Sequence, residues 1–161
     1  MSDEVALKLT DLISETAVVQ LKSVNKEGAI RELVQALHHS EHIMHEDVER
    51  VIEQVMEREN ESSTGLGRGM ALPHARTDSV GRLVGALGHS SKGLEFSSID
   101  GDPVYAVIMI LSPTDQKTAY VQSLSLVFKL FGESVLCRKF REAESRGALL
   151  KLLNTAHDYI D

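Results

Sequence analysis

Apolar residues recur every three or four positions over two stretches in the first third of this chain. Ala29, Ile30, Leu33, Val34 and Leu37 predict an amphipathic helix over residues 26–39, with Asn25 as its N-cap. Val48, Val51, Ile52 and Val55 repeat the spacing and predict a second helix from about Glu46 to Arg58. Upstream, Val5, Leu9, Leu12 and Ile13 suit one helical turn or an extended lead-in, and the β-branched run Ala17–Leu21 suits a short strand. Past residue 69 the period changes. Met70–Ala75 and Arg82–His89 read as strands, with Leu94–Phe96 as a minor one. Val104–Leu111 is nearly all apolar, the pattern of a strand buried on both faces. A helix then runs through Leu130, with Asp115 as candidate N-cap and Gly132 as its stop. Two shorter helices over 133–143 and 145–154 close the chain. Strands mixed with helices around one doubly buried strand give an α/β sandwich.

Length and composition narrow this picture. At 161 residues the chain fits one domain, 1–161. A hydrophobic fraction of 42% and a charged fraction of 25% are those of an ordinary soluble protein. A net charge of −7 argues against nucleic acid as a partner, which demands a basic face. No apolar run is long enough to insert in a membrane, and the acidic N-terminus lacks a signal-peptide pattern. One cysteine, Cys137, leaves no internal disulfide. Together these features suggest a cytoplasmic protein.

The chemistry concentrates in Ser63–Arg76, S-T-G-L-G-R-G-M-A-L-P-H-A-R. Gly65, Gly67 and Gly69 lack a Cβ, so the backbone can approach an anion and direct N–H groups at it. Arg68 and Arg76 add positive charge. A histidine delivered to such a cradle, here His74, is a candidate phosphoryl nucleophile. The alternative is a glycine-rich turn before a strand, with His74 an ordinary polar residue. No Walker-type lysine follows the glycines, so this is not a nucleoside triphosphatase loop.

Other candidates read as structural. His38, His39, His42 and His45 cluster, but no carboxylate or cysteine at ligand spacing completes a metal set, so no metal is assigned. His89 reads as a polar residue at a strand end. Cys137 reads as a buried structural thiol, and Arg138, Lys139 and Arg141 as a solvated helix face.

The motif resembles the active-site signature of the enzyme IIA domains of the phosphoenolpyruvate-dependent sugar phosphotransferase system, fructose/mannitol class. Arg58-Glu59 and Ser63–His74 match that signature residue by residue. Asp100–Val104 resembles the loop before a core strand, and Pro113–Leu126 resembles the P-x-D-Q helix. Cys137–Arg141 is similar to a run of the nitrogen-regulatory, PtsN-like branch. The resemblance implies a mixed sheet with helices on both faces. It also implies a phosphocarrier in which His74 accepts a phosphoryl group from an HPr-like protein, as a phosphohistidine intermediate without a cofactor. Arg58, Thr64 and the N–H groups of Gly65, Gly67 and Gly69 would hold or support the phosphate. An enzyme IIB or a regulatory target would be the next partner. The family's second histidine corresponds to Tyr120, whose hydroxyl would reach the His74 site as a hydrogen-bond donor. The alternative is a non-catalytic regulatory binding module with a degraded site, in which Tyr120 only packs its ring.

Overall fold

Val104 and Ala106–Leu111 are fully buried, and the strand that carries them lies at the centre of a six-stranded sheet. The computed structural model describes residues 7–160, so the expectation for Val5 falls outside them. The described chain begins with α1 (Leu9–Leu12), a 3-10 turn (Glu15–Ala17), β1 (Val18–Gln20), α2 (Lys26–His39) and α3 (Val48–Glu61). Five strands follow: β2 (Gly65–Gly67), β3 (Met70–Ala71), β4 (His74–Arg76), β5 (Val84–Leu94) and β6 (Val104–Ser112). The helices α4 (Lys117–Phe131), α5 (Ser134–Glu142) and α6 (Arg146–Thr155) come last.

The sheet order is β1-β5-β6-β3-β2. β5 is antiparallel to β6 and parallel to β1, and β2 is antiparallel to β3. β3 and β4 both run parallel to β6. The sheet is therefore mixed, and it carries helices on both faces. α2 and α3 pack on each other and against β5 and β4. α4 and α5 pack against β6, and α6 against β1. Asn25 caps α2 as its side-chain chemistry predicts, accepting from the Gly28 N–H at 2.8 Å. Ser145 caps α6 in the same way.

Local departures from the sequence pattern have identifiable causes. Met70–Ala75 is two strands rather than one. Pro73 has no N–H to donate, and the chain breaks its ladder at Leu72-Pro73 before rejoining β6 at His74. Gly65–Gly67 is a strand, not a loop. β5 runs past His89 to Leu94 through polar Ser90–Lys92, with a register shift and Gly93 at φ +88°. Glu95 forms only one bridge, to Asn25, so Leu94–Phe96 is not a separate strand. Asp115 does not cap α4, which starts at Lys117 behind Gln116. A 3-10 turn over His45–Asp47 moves the start of α3 from Glu46 to Val48.

The last turn of α3 is fastened to the sheet by a buried carboxylate. Glu59 is 2% exposed, yet it is fully partnered. It accepts the Thr64 N–H at 2.8 Å and the Thr64 hydroxyl at 2.5 Å, and pairs with Lys26 Nζ at 3.1 Å. Thr64 in turn accepts the Leu72 N–H at 3.0 Å through its carbonyl. Lys26→Met should leave the Glu59 charge without its counter-ion and cost about 3 kcal/mol, the low end for a broken buried pair because Thr64 still donates twice. Urea denaturation checks this, and Glu59→Gln added to Lys26→Met should recover part of the loss.

Candidate functional site

His74 opens β4, and its position follows from the break at Pro73. Its register partner is Ile110, far along β6, and the residue is 8% exposed. Nδ1 lies 2.6 Å from the Leu72 carbonyl. A carbonyl only accepts, so Nδ1 carries the proton and Nε2 keeps its lone pair. The chain of bonds from Glu59 through Thr64 to Leu72 therefore ends on the imidazole and fixes its tautomer. Burial lowers the His74 pKa below the usual imidazole value. The Leu72 carbonyl opposes that shift, Arg58 adds to it, and Glu59 opposes it. The ring is neutral at physiological pH, as a nucleophile requires.

A cleft of about 420 Å³ adjoins β4, lined by Gln54, Glu57, Arg58, Glu61, Ala75, Arg76, Thr114 and Tyr120. Arg58 sits in the last turn of α3, where the helix dipole favours a cation, and one arm donates to the Ser62 carbonyl at 3.0 Å. Tyr120 lies in the first turn of α4. Its ring stands 6.0 Å from the imidazole, centroid to centroid, tilted by 54°. No hydrogen bond joins the two. Burial raises the Tyr120 pKa, while Arg58 and then Arg76 lower it, so both guanidinium fields reach the phenol. Arg76, which the sequence offers only as added positive charge near His74, lines this cleft. Its signal was available: it lies two positions after His74 on a strand, and so points to the same side of the sheet.

The glycine run does not cradle His74. Gly69 accepts from Tyr105 and Ala106 at the start of β6, and His74 pairs four residues beyond Ala106. Four residues of strand separate them by roughly 13 Å. Gly65 pairs with Ala71, and Gly67 with Met70, one strand further out. Gly65 is thus level with Val107 and Gly69 with the start of β6, three or more residues along the sheet from the level of the imidazole. Thr64 is also turned inward, its hydroxyl given to Glu59, so it supports His74 through Leu72 and does not face the cleft.

The remaining candidates have structural partners. His89 is buried in the middle of β5, not at a strand end. It takes a bond from Gln20 Nε2 at 2.8 Å on Nδ1 and donates from Nε2 to the Arg141 carbonyl at 3.3 Å. His38 donates to the Ile43 carbonyl at 2.8 Å, and its ring neighbours His39 and His45. Cys137 is buried, its thiol is directed at the Phe131 carbonyl, and burial raises its pKa. Of the basic run on α5, Arg138 is solvated, but Lys139 donates to the Tyr159 hydroxyl and Arg141 to the Arg68 carbonyl. Among the described residues no helix is long and apolar enough to cross a membrane.

Comparison with known proteins agrees with this architecture. The chain is 33% identical over 153 residues to a fructose-specific EIIABC component of Bacillus subtilis. That match covers 94% of this chain and only 24% of the longer protein. It is 34% identical over 107 residues to the nitrogen regulatory protein of Klebsiella oxytoca, covering 66% of each. The crystal structure of nitrogen regulatory protein IIA-Ntr from Neisseria meningitidis superposes with a TM-score of 0.78 at 24% identity, over 90% of this chain and 98% of that one. The model of the phosphoenolpyruvate-dependent sugar phosphotransferase system EIIA 2 family matches residues 12–156. With nearly the whole chain matched, and His74 held in a single tautomer beside Arg58, the protein belongs to the EIIA 2 family of the phosphotransferase system.

Proposed function

We propose that this chain is a phosphocarrier that accepts a phosphoryl group on Nε2 of His74 from an HPr-like protein, in a nitrogen-type regulatory branch. The observation that carries this reading is the Nδ1–H bond to the Leu72 carbonyl, which leaves Nε2 as the only ring nitrogen able to attack. In the transfer, the Nε2 lone pair forms a bond to phosphorus as the donor's phosphorus–nitrogen bond breaks. The bonding pair returns to the donor imidazole. The His74 ring gains positive charge, which the Leu72 carbonyl stabilises through Nδ1–H. The phosphoryl oxygens meet Arg58 and Arg76 across the cleft, with the Tyr120 hydroxyl as a neutral donor. No metal is required, because positioning and two guanidinium groups answer the charge. The regulatory assignment is supported by the Klebsiella oxytoca relative and by the Cys137–Arg141 run. The next partner is then an enzyme IIB or a regulatory target protein.

A second reading has one observation behind it. Tyr120 occupies the place of the family's second histidine, which suits a module that binds partners without passing phosphate on. Incubation with phosphoenolpyruvate, enzyme I and an HPr-type carrier, followed by intact-mass measurement, separates the two. The phosphocarrier reading expects one phosphate adduct on the parent and none on His74→Ala. An adduct of equal yield on His74→Ala would place the nucleophile elsewhere, and no adduct on the parent would favour the binding module.

The supporting groups should separate by rate. Arg58→Ala should slow labelling on the order of 10²-fold, the effect of removing one preorganised charge donor. Arg76→Ala should slow it about tenfold, since an exposed charge is screened by salt. Quenched-flow labelling measures both, and circular dichroism confirms the fold.

The pH dependence follows from two opposite shifts. The lowered His74 pKa keeps the nucleophile neutral from neutral pH upward, so labelling falls only when acid reaches below the usual imidazole range. The raised Tyr120 pKa keeps its hydroxyl protonated through mildly alkaline pH. The rate should therefore be flat from neutral to mildly alkaline pH. Tyr120→His should introduce a second titration near neutrality, and Tyr120→Phe should shorten the phosphohistidine lifetime.

A further inference from the structure

The displaced glycine run and the basic end of α5 meet at a cleft that the phosphocarrier chemistry does not use. It has a volume of about 490 Å³ and is lined by Arg68, Gly69, Asp102, Pro103, Tyr105 and Arg141. It opens beside the start of β6, roughly 13 Å along that strand from the level of His74. We propose that this cleft is a second anion site, which takes a small phosphorylated sugar or polyol.

Two guanidinium groups carry the argument. Arg68 donates one arm to the Gly132 carbonyl at 2.7 Å, at the C-terminal end of α4. Arg141 donates one arm to the Arg68 carbonyl at 2.7 Å. Each fork is thereby anchored, with most of its five N–H donors left over. Among the described residues the ion pairs are Lys26–Glu59, Arg31–Glu49 and Arg50–Asp47, so neither the Arg68 nor the Arg141 guanidinium has a carboxylate oxygen within 4.0 Å. Two anchored arginines without counter-ions suit a phosphate, which accepts several charge-assisted bonds at once.

The backbone is shaped to bring them together. Gly67, Arg68 and Gly69 are consecutive left-handed residues, at φ +86°, +58° and +80°. Arg68 has a Cβ and holds this conformation at a cost of about 1 kcal/mol. Its N–H is fixed by Asp100 Oδ2 at 3.2 Å, and Asp100 Oδ1 accepts from the Asp102 N–H at 3.0 Å. Gly69 leaves room for Arg141 to cross, since a Cβ there would stand 2.5 Å from Arg141 Cδ. The Arg141 main chain is held from below by His89, which Gln20 orients.

The other walls define the rest of the ligand. Asp100 is committed to backbone N–H groups, but the Asp102 carboxylate is exposed in the cleft. An ionised carboxylate only accepts, so it selects a ligand with hydroxyl groups and opposes a bare phosphate. Pro103 and the Tyr105 ring offer apolar faces to a sugar ring. The proposal does not depend on His74 accepting phosphate.

Isothermal titration calorimetry of the full chain with glucose 6-phosphate, inorganic phosphate and glucose tests it. Glucose 6-phosphate should bind saturably at a single site and more tightly than inorganic phosphate, and glucose should give no signal. Arg141→Gln and Arg68→Gln should each weaken glucose 6-phosphate about tenfold or more, with Arg141→Lys intermediate because it keeps the charge and loses the fork. Asp102→Asn should weaken glucose 6-phosphate and leave inorganic phosphate as tight or tighter, since it removes a like charge. His74→Ala should change nothing here, which separates this cleft from the phosphorylation site. If an arginine variant does not fold, Arg141→Lys and Asp102→Asn carry the test. The proposal is overturned by the absence of saturable binding, by binding lost in His74→Ala, or by binding that folded Arg141→Gln and Arg68→Gln leave unchanged.

Discussion

One buried carboxylate governs the geometry around His74. Glu59 is almost entirely removed from water, a position that strongly penalises a charge unless every lone pair is answered. Lys26 supplies the counter-charge from the first turn of α2, and Thr64 supplies two hydrogen bonds. These contacts tie α2, the end of α3 and the approach to β2 into one unit. Leu72 is then held by the Thr64 carbonyl, and the Leu72 carbonyl selects the His74 tautomer. An imidazole with its lone pair on Nε2 thus rests on a network that itself faces away from the cleft.

The same network divides the labour between neighbouring residues. Glu59 and Arg58 are adjacent in sequence, and the helix turns their side chains about 100° apart. Glu59 enters the core, while Arg58 stays at the cleft with one arm on the Ser62 carbonyl. The two act oppositely on His74, since Arg58 disfavours a charged imidazole and Glu59 favours it. Burial outweighs both and keeps the ring neutral. Beside the ring, Arg58 and Arg76 share the cleft with Glu57, Glu61 and Tyr120, so positive charge is local to the two guanidinium groups.

At the far end of β6 the balance differs. Arg68 and Arg141 are anchored to carbonyls rather than to carboxylates, so their charge is not consumed within the fold. The Gly67–Gly69 backbone, which sequence reasoning assigned to the phosphohistidine, shapes this second cleft. Stretches close in sequence thus serve both ends of one sheet, because an extended strand carries the chain roughly 3.3 Å per residue.

Periodicity was enough to read the main elements. The spacing of Ala29–Leu37 and Val48–Val55 located α2 and α3, and the apolar run of Val104–Leu111 located the central strand, because burial constrains which residue types each face accepts. The motif also singled out His74 and Arg58, which the fold brings close enough for the guanidinium field to act on the imidazole. Register was not legible. It decides that Gly69 pairs beside Tyr105 and His74 beside Ile110, and so that the glycines lie away from the imidazole. The meeting of Arg68 with Arg141 has no local signature, because it depends on segments distant in sequence. Sequence by itself determined the main helices and the buried central strand, and it singled out His74 and Arg58 as candidates. Only the tertiary structure decided which charges face that histidine, because strand register and side-chain hydrogen bonds between distant segments set the distances over which charge acts.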